Sequence, residues 1–133
     1  MKKEIIRILF IFFISFILNL VWENIHYLLY THYQGGEITR LILLRASFFD
    51  ALLTIFFVTP FLYSYFLKKH SWLIIFLGVL VAIFIELNAL NTERWTYNEL
   101  MPIIPFTQFG ITPIIQLALL GFVTYQVQKK YFK

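Results

Sequence analysis

Four long apolar runs constrain this chain more than anything else in it: Ile5–Tyr30, Leu41–Leu67, Ser71–Leu90 and Ile103–Val127. Roughly 20 helical residues cross a hydrocarbon core of about 30 Å, and each run meets that length. Backbone polar groups in lipid have to be paired within the segment, so runs of this kind read as helices. They lack the period-two alternation of barrel strands. The expectation is an all-α, polytopic membrane protein: a four-transmembrane-helix bundle forming one integral membrane domain over residues 1–133. Composition agrees, with 60% hydrophobic and only 14% charged residues, against about 25% charged in an ordinary soluble domain. The first run invites comparison with a secretory signal, since "MKKEIIR" precedes "ILFIFFISFIL". Residues Asn19 to Tyr30 offer no small-x-small cleavage site, so the segment is expected to stay as a membrane helix.

Charge gives an orientation. Lys2, Lys3 and Arg7 precede the first run, Lys68 and Lys69 separate the second from the third, and Lys129, Lys130 and Lys133 follow the fourth. Four crossings place those eight of the eleven basic residues on one side. The positive-inside rule then predicts cytoplasmic termini in the cell membrane.

With that orientation, polar residues of all four helices fall in the outer half. Ser15, Asn19, Glu23, His26 and Tyr30 recur at spacings of four and three, which makes one stripe on the first helix. Gly78, Ala82, Glu86 and Ala89 make a stripe on the third, whose small residues favour close helix approach. Ser47, Asp50 and Thr54 share a face of the second helix, and Gln108, Thr112 and Gln116 a face of the fourth. An Asp at a helix centre costs about 2.5–3.5 kcal/mol on insertion scales, so these groups are expected to face one another in a pocket. Arg45 lies about 140° around the helix from Asp50, which points it at Glu23 or Glu86 on another helix.

The fourth run opens with "MPIIPFTQFGITPIIQ", which holds three of the four prolines. The helix is expected to be broken or kinked near Gly110–Pro113, or to start at Thr112 as its N-cap. Before it lies "NTERWTYNELMP", where Trp95 and Tyr97 suit an interface and Asn91, Glu93 and Arg94 suit a lid.

The stretches "WENIHYLLY", "RASFFD" and "TERWTYNELMPIIP", followed by "GITPIIQ", resemble a family of small, functionally uncharacterised four-span prokaryotic membrane proteins. Its pattern carries Trp-Glu and Leu-Tyr at the first helix end, an Arg-Trp-x-Tyr-x-x-x-Met-Pro loop and a Pro-x-x-Gln helix. Where that pattern has His-Cys-Thr and Gly-Asp, this chain has Arg45-Ala46-Ser47 and Phe49-Asp50. The resemblance implies a fold and no activity.

Much chemistry is missing from the sequence. There is no cysteine, no phosphate-binding glycine loop, no H-E-x-x-H and no G-x-S-x-G. His26, His32 and His70 are scattered, so neither a metal nor a cofactor is expected, and the lysines make no nucleic-acid surface. Three readings remain. The first is acid-base chemistry (isomerisation, cyclisation or hydration) on a lipid-like substrate. In it Glu23, Asp50 and Glu86 are catalytic, and Asn19, Trp22, His26, Tyr27, Arg45, Arg94, Trp95, Tyr97, Gln108 and Gln116 shape the binding site. The second is a non-catalytic membrane partner subunit, and the third a small dimeric proton-coupled transporter. The expected company is membrane lipid, with a homo-oligomer or a membrane partner beside it.

Overall fold

Hydrocarbon-length apolar runs do become helices, and prolines and serines decide where each stops. In a computed structural model, which describes residues 1–33 and 35–133, the chain forms α1 (Lys2–His26), β1 (Tyr30–Tyr33), α2 (Arg40–Val58), α3 (Pro60–Tyr63), α4 (Tyr65–Lys69), α5 (Leu73–Asn91), β2 (Trp95–Tyr97) and α6 (Ile111–Tyr131). Four helical spans are long and apolar enough to cross a membrane, the architecture of a multi-pass membrane protein.

The second run differs from expectation, because it is not one helix through Leu67. Thr39 caps α2 by accepting from the Ile42 N–H at 3.3 Å. Helix α2 ends at Val58, just before Pro60, which has no N–H to donate and opens the short α3. Ser64 is extended, and its hydroxyl caps α4 by accepting from Leu67 N–H at 3.3 Å. The last long helix also differs from the run 103–127. It begins at Ile111 with Gly110 as its N-cap, and Pro113 sits in its first turn. Residues 103–110 form a tight loop instead, in which Ile104 N–H donates to Phe109 C=O at 2.9 Å and Ile111 N–H to Pro102 C=O at 2.8 Å.

Helix α1 packs against α2 and α6, and α6 packs closely along α5, whereas α2 and α5 scarcely touch. The α5–α6 approach is set by Gly78, where a Cβ would lie 2.5 Å from the Ala118 Cα. One end of the bundle carries both termini. There the Arg7 Nε donates to Gln128 Oε1 at 2.9 Å, and Phe10 packs on Tyr131 and Phe132. Above this lysine-rich end an apolar core of Ile11, Phe57, Val58, Phe61, Leu62 and Ile74 closes the bundle. The other end is covered by β1 and β2, which pair antiparallel with Tyr30 opposite Tyr97 and Tyr33 opposite Trp95. The ladder is irregular between Tyr30 and His32. That extra residue puts both Tyr30 and Tyr33 on the inner face, where a regular strand would have turned them to opposite sides.

Candidate functional site

Beneath this two-stranded cap lies a cavity of about 310 Å³. Each of the four long helices builds part of it. Glu23 and His26 come from α1, one turn apart on the stripe that also carries Ser15 and Asn19, and all four are buried. Asp50 comes from α2 and Glu86 from α5, while α6 contributes Pro113, Gln116 and Leu117. Much of the remaining wall is apolar, with Phe49 and Leu53 on α2 and Ala82 and Ile85 on α5. These two neighbouring helices share few contacts along this part of the bundle.

Gln116 organises the carboxyls. Its Nε2 lies 2.9 Å from Glu23 Oε1, 3.0 Å from Asp50 Oδ2 and 3.0 Å from Asn19 Oδ1. An amide nitrogen carries two hydrogens, so three acceptors surround two donors. Asn19 is held in place by its own Nδ2, which donates to Ser15 C=O at 2.9 Å. The Nε2 of His26 lies 3.4 Å from Glu23 Oε1, an ion-pair distance without hydrogen-bond alignment, and its Nδ1 lies 3.4 Å from the Thr112 hydroxyl.

Glu86 is served from the cap. Trp95 Nε1 donates to Glu86 Oε2 at 3.2 Å, and the Tyr97 hydroxyl donates to the same oxygen. Tyr33 donates from the cap to Glu23 Oε2 at 3.4 Å. Burial, reinforced by the neighbouring Glu23 carboxylate, holds the Tyr33 phenol far above its ordinary value. Burial and the Glu86 bond do the same to Tyr97. Both therefore remain protonated donors at any physiological pH.

Several residues stand elsewhere than the sequence suggested. Gln108 is exposed in the loop before α6 and does not reach the cavity, because the helix that was to carry it starts three residues later. Arg45 lines the cavity mouth but pairs with neither Glu23 nor Glu86. Its guanidinium lies over the Phe49 ring at 5.9 Å, and no acid lies within salt-bridge reach of it among the described residues, where the one such contact joins His26 and Glu23. Trp22 and Tyr27 lie outside the lining; Trp22 packs on His26, and its Nε1 finds no partner among the described residues. Thr112 is not the helix cap. Trp95 and Tyr97, read both as interface residues and as part of the binding site, turn inward onto Glu86, and Arg94, read as part of a lid, lines the cavity while stacking on Trp95 at 5.5 Å. Sequence reasoning missed Tyr33. Its signal was the aromatic string "YLLYTHY" running past the helix end, but the bulge that turns Tyr33 inward leaves no periodic trace.

Among the described residues no group of three His, Asp or Glu side chains is arranged to hold a metal ion. Fold and site together define a class: a mostly helical, multi-pass membrane protein with a carboxyl-lined cavity under a two-stranded cap. No family model matches the chain, and neither a curated protein nor a solved structure does.

Proposed function

We propose that this protein performs cofactor-free acid-base chemistry on a lipid-like molecule that reaches the cavity sideways, from the bilayer, between α2 and α5. One observation carries the reading: Glu23, Asp50 and Glu86, from three helices, line one cavity whose other walls are mostly apolar. Its volume of about 310 Å³ matches the lower range of small-molecule sites. It suits the reacting segment of a long molecule whose remainder stays in lipid.

The proposed chemistry follows from counting hydrogens. Two Gln116 hydrogens serve three oxygens, and a proton shared between Glu23 and Asp50 supplies the missing one. That proton is the one delivered to a double bond or oxygen of the substrate. Glu86 faces the same space and takes a proton from the neighbouring carbon, with Trp95 and Tyr97 stabilising its charged form. Isomerisation and cyclisation fit such a pair, and in hydration Glu86 takes its proton instead from the water that adds to the protonated double bond. Arg45 at the mouth suits a polar headgroup or oxygen of the substrate.

The apolar closure at the lysine-rich end supports a site over a through-pathway, and so favours an enzyme over a carrier. We place the lysine-rich end and both termini in the cytoplasm and the cap outside the cell membrane, on the distribution of lysine and arginine. Single-cysteine labelling at Lys69 and at Asn98 from either side of the membrane tests that placement.

The decisive experiment is solvent exchange. Membranes containing the protein are incubated in heavy water, and extracted lipids are searched for deuterium by mass spectrometry. Proton delivery to carbon should leave deuterium in a lipid in the presence of wild-type protein and not of Asp50→Asn. Well-folded wild type that labels no lipid across cell-derived extracts would leave the partner-subunit reading in its place.

A further inference from the structure

At the lysine-rich end, away from the carboxyl cavity, a second cleft of about 400 Å³ opens between the helix termini. Helix α1 lends it Lys3 and Arg7, α4 lends Lys68, and the end of the chain lends Gln128, Lys129 and Lys133. One acid, Glu4, shares the rim, and it is engaged by the Tyr63 hydroxyl at 3.0 Å.

The telling group is Gln128. It is completely buried, and its Oε1 accepts from Arg7 Nε at 2.9 Å. That bond fixes the amide, since flipping it would set donor against donor. Its Nε2 then has no hydrogen-bond partner among the described residues. A buried N–H without an acceptor costs about 1–3 kcal/mol, and Gln128 lines the cleft, so a small shift of its side chain would let an incoming oxygen satisfy it. Arg7 spends Nε on Gln128 and keeps its paired Nη nitrogens, the geometry that grips two oxygens of one anion.

We propose that this cleft binds a phosphate group, with Gln128 Nε2 and the Arg7 fork holding its oxygens and Lys3, Lys68 and Lys129 supplying charge. The site lies where helices leave the apolar span, at the level of lipid headgroups. A phospholipid and free phosphate share the chemistry, and the test separates them.

The full chain in neutral detergent is unfolded thermally while short-chain phosphatidylglycerol, short-chain phosphatidylcholine or inorganic phosphate is titrated in. A ligand of the folded state raises the transition in a saturable way. Three proteins are compared with wild type. Lys3→Gln/Lys68→Gln/Lys129→Gln removes cleft charge. Lys2→Gln/Lys69→Gln/Lys130→Gln removes equal charge from the same end but outside the cleft. Gln128→Leu removes the buried donor.

Phosphatidylglycerol should stabilise wild type. Its apparent Kd should weaken by about tenfold or more in the cleft triple variant and in Gln128→Leu, and change by less than about twofold in the control triple variant. Stabilisation by inorganic phosphate alone, lost in the cleft variant, identifies free phosphate as the source, and stabilisation by lipid alone identifies a headgroup. Equal weakening in both triple variants overturns the proposal, because diffuse attraction would then explain binding. So does an absence of saturable stabilisation by either phosphate source. Should Gln128→Leu fail to fold, the two triple variants decide the matter, since they alter only exposed lysines.

Discussion

Replacing Gln116 with leucine should loosen the bundle at the cavity and nowhere else. Gln116 ties α6 to α1 through Asn19 and Glu23 and to α2 through Asp50. Two amide hydrogens make at most two full bonds at once. Interhelical hydrogen bonds in membranes average about 0.6 kcal/mol with a maximum near 1.7, so the direct loss is about 1–3 kcal/mol. Leucine also leaves Asn19 Oδ1 and the two carboxyls short of a donor in a buried site, which adds about 1–3 kcal/mol. The expected destabilisation is therefore about 2–6 kcal/mol, the upper part being avoided wherever the carboxyls take up protons. Thermal or steric-trap unfolding in a bilayer mimic measures it, with the exposed Gln126→Leu on the same helix as control. A cycle with Glu23→Gln should show a coupling of about 1 kcal/mol or more, as for side chains in one network. Gln116→Leu with wild-type stability and no coupling to Glu23 would refute the view that this amide organises the carboxyls.

Three further outcomes are expected. Gly78→Ala should cost about 1–3 kcal/mol, because its Cβ meets Ala118 backbone at 2.5 and 2.6 Å. Gly36→Ala, which meets nothing within 4 Å, should be neutral in the same unfolding assay. In an alkaline titration followed by phenolate absorbance, Tyr33 and Tyr97 should ionise after the exposed tyrosines. Their folded values lie above the ordinary 10.0, so the stability they lend is complete below pH 10 and is lost as the pH climbs toward those values; Tyr97→Phe should show one fewer late step. The chain has no cysteine, so Ala46→Cys on the cavity wall should react with a lipid-soluble maleimide far faster than Ala51→Cys, fully buried on the same helix. Equal rates would remove the lateral opening from the proposal.

What the sequence made legible was whatever the membrane penalises. A polar stripe is costly in lipid, so the spacing of Ser15, Asn19, Glu23, His26 and Tyr30 marked a buried face, and all five are buried. The same reasoning found Gly78, Ala82, Glu86 and Ala89 on α5. Periodicity worked because those residues lie within regular helices. It failed at helix ends, where local backbone chemistry decides. Pro60 and Ser64 cut the second run, and the loop of residues 103–110 withdrew Gln108 from the helix phase that would have aimed it inward. Arg45 was assigned by angle alone, and an angle does not show whether a long side chain turns to a carboxyl or lies along a neighbouring ring.

The cap explains why carboxyls can sit at this depth. Two of the three are bonded from above by aromatic residues, Glu23 by Tyr33 and Glu86 by Trp95 and Tyr97. A water-filled mouth would also solvate these groups. Phenol and indole donors instead hold the oxygens while their rings pack with Tyr30 into an aromatic lid. The arrangement covers the capped end, which fits the proposed entry between α2 and α5. A scaffold needs only that each polar group find a partner. Here Gln116 is shared among three oxygens, and Asp50, unlike Glu23 and Glu86, receives nothing from the cap. On the proposed reading, Asp50 is therefore the carboxyl best placed to serve a substrate, and Asp50→Asn should abolish lipid labelling with least harm to the fold.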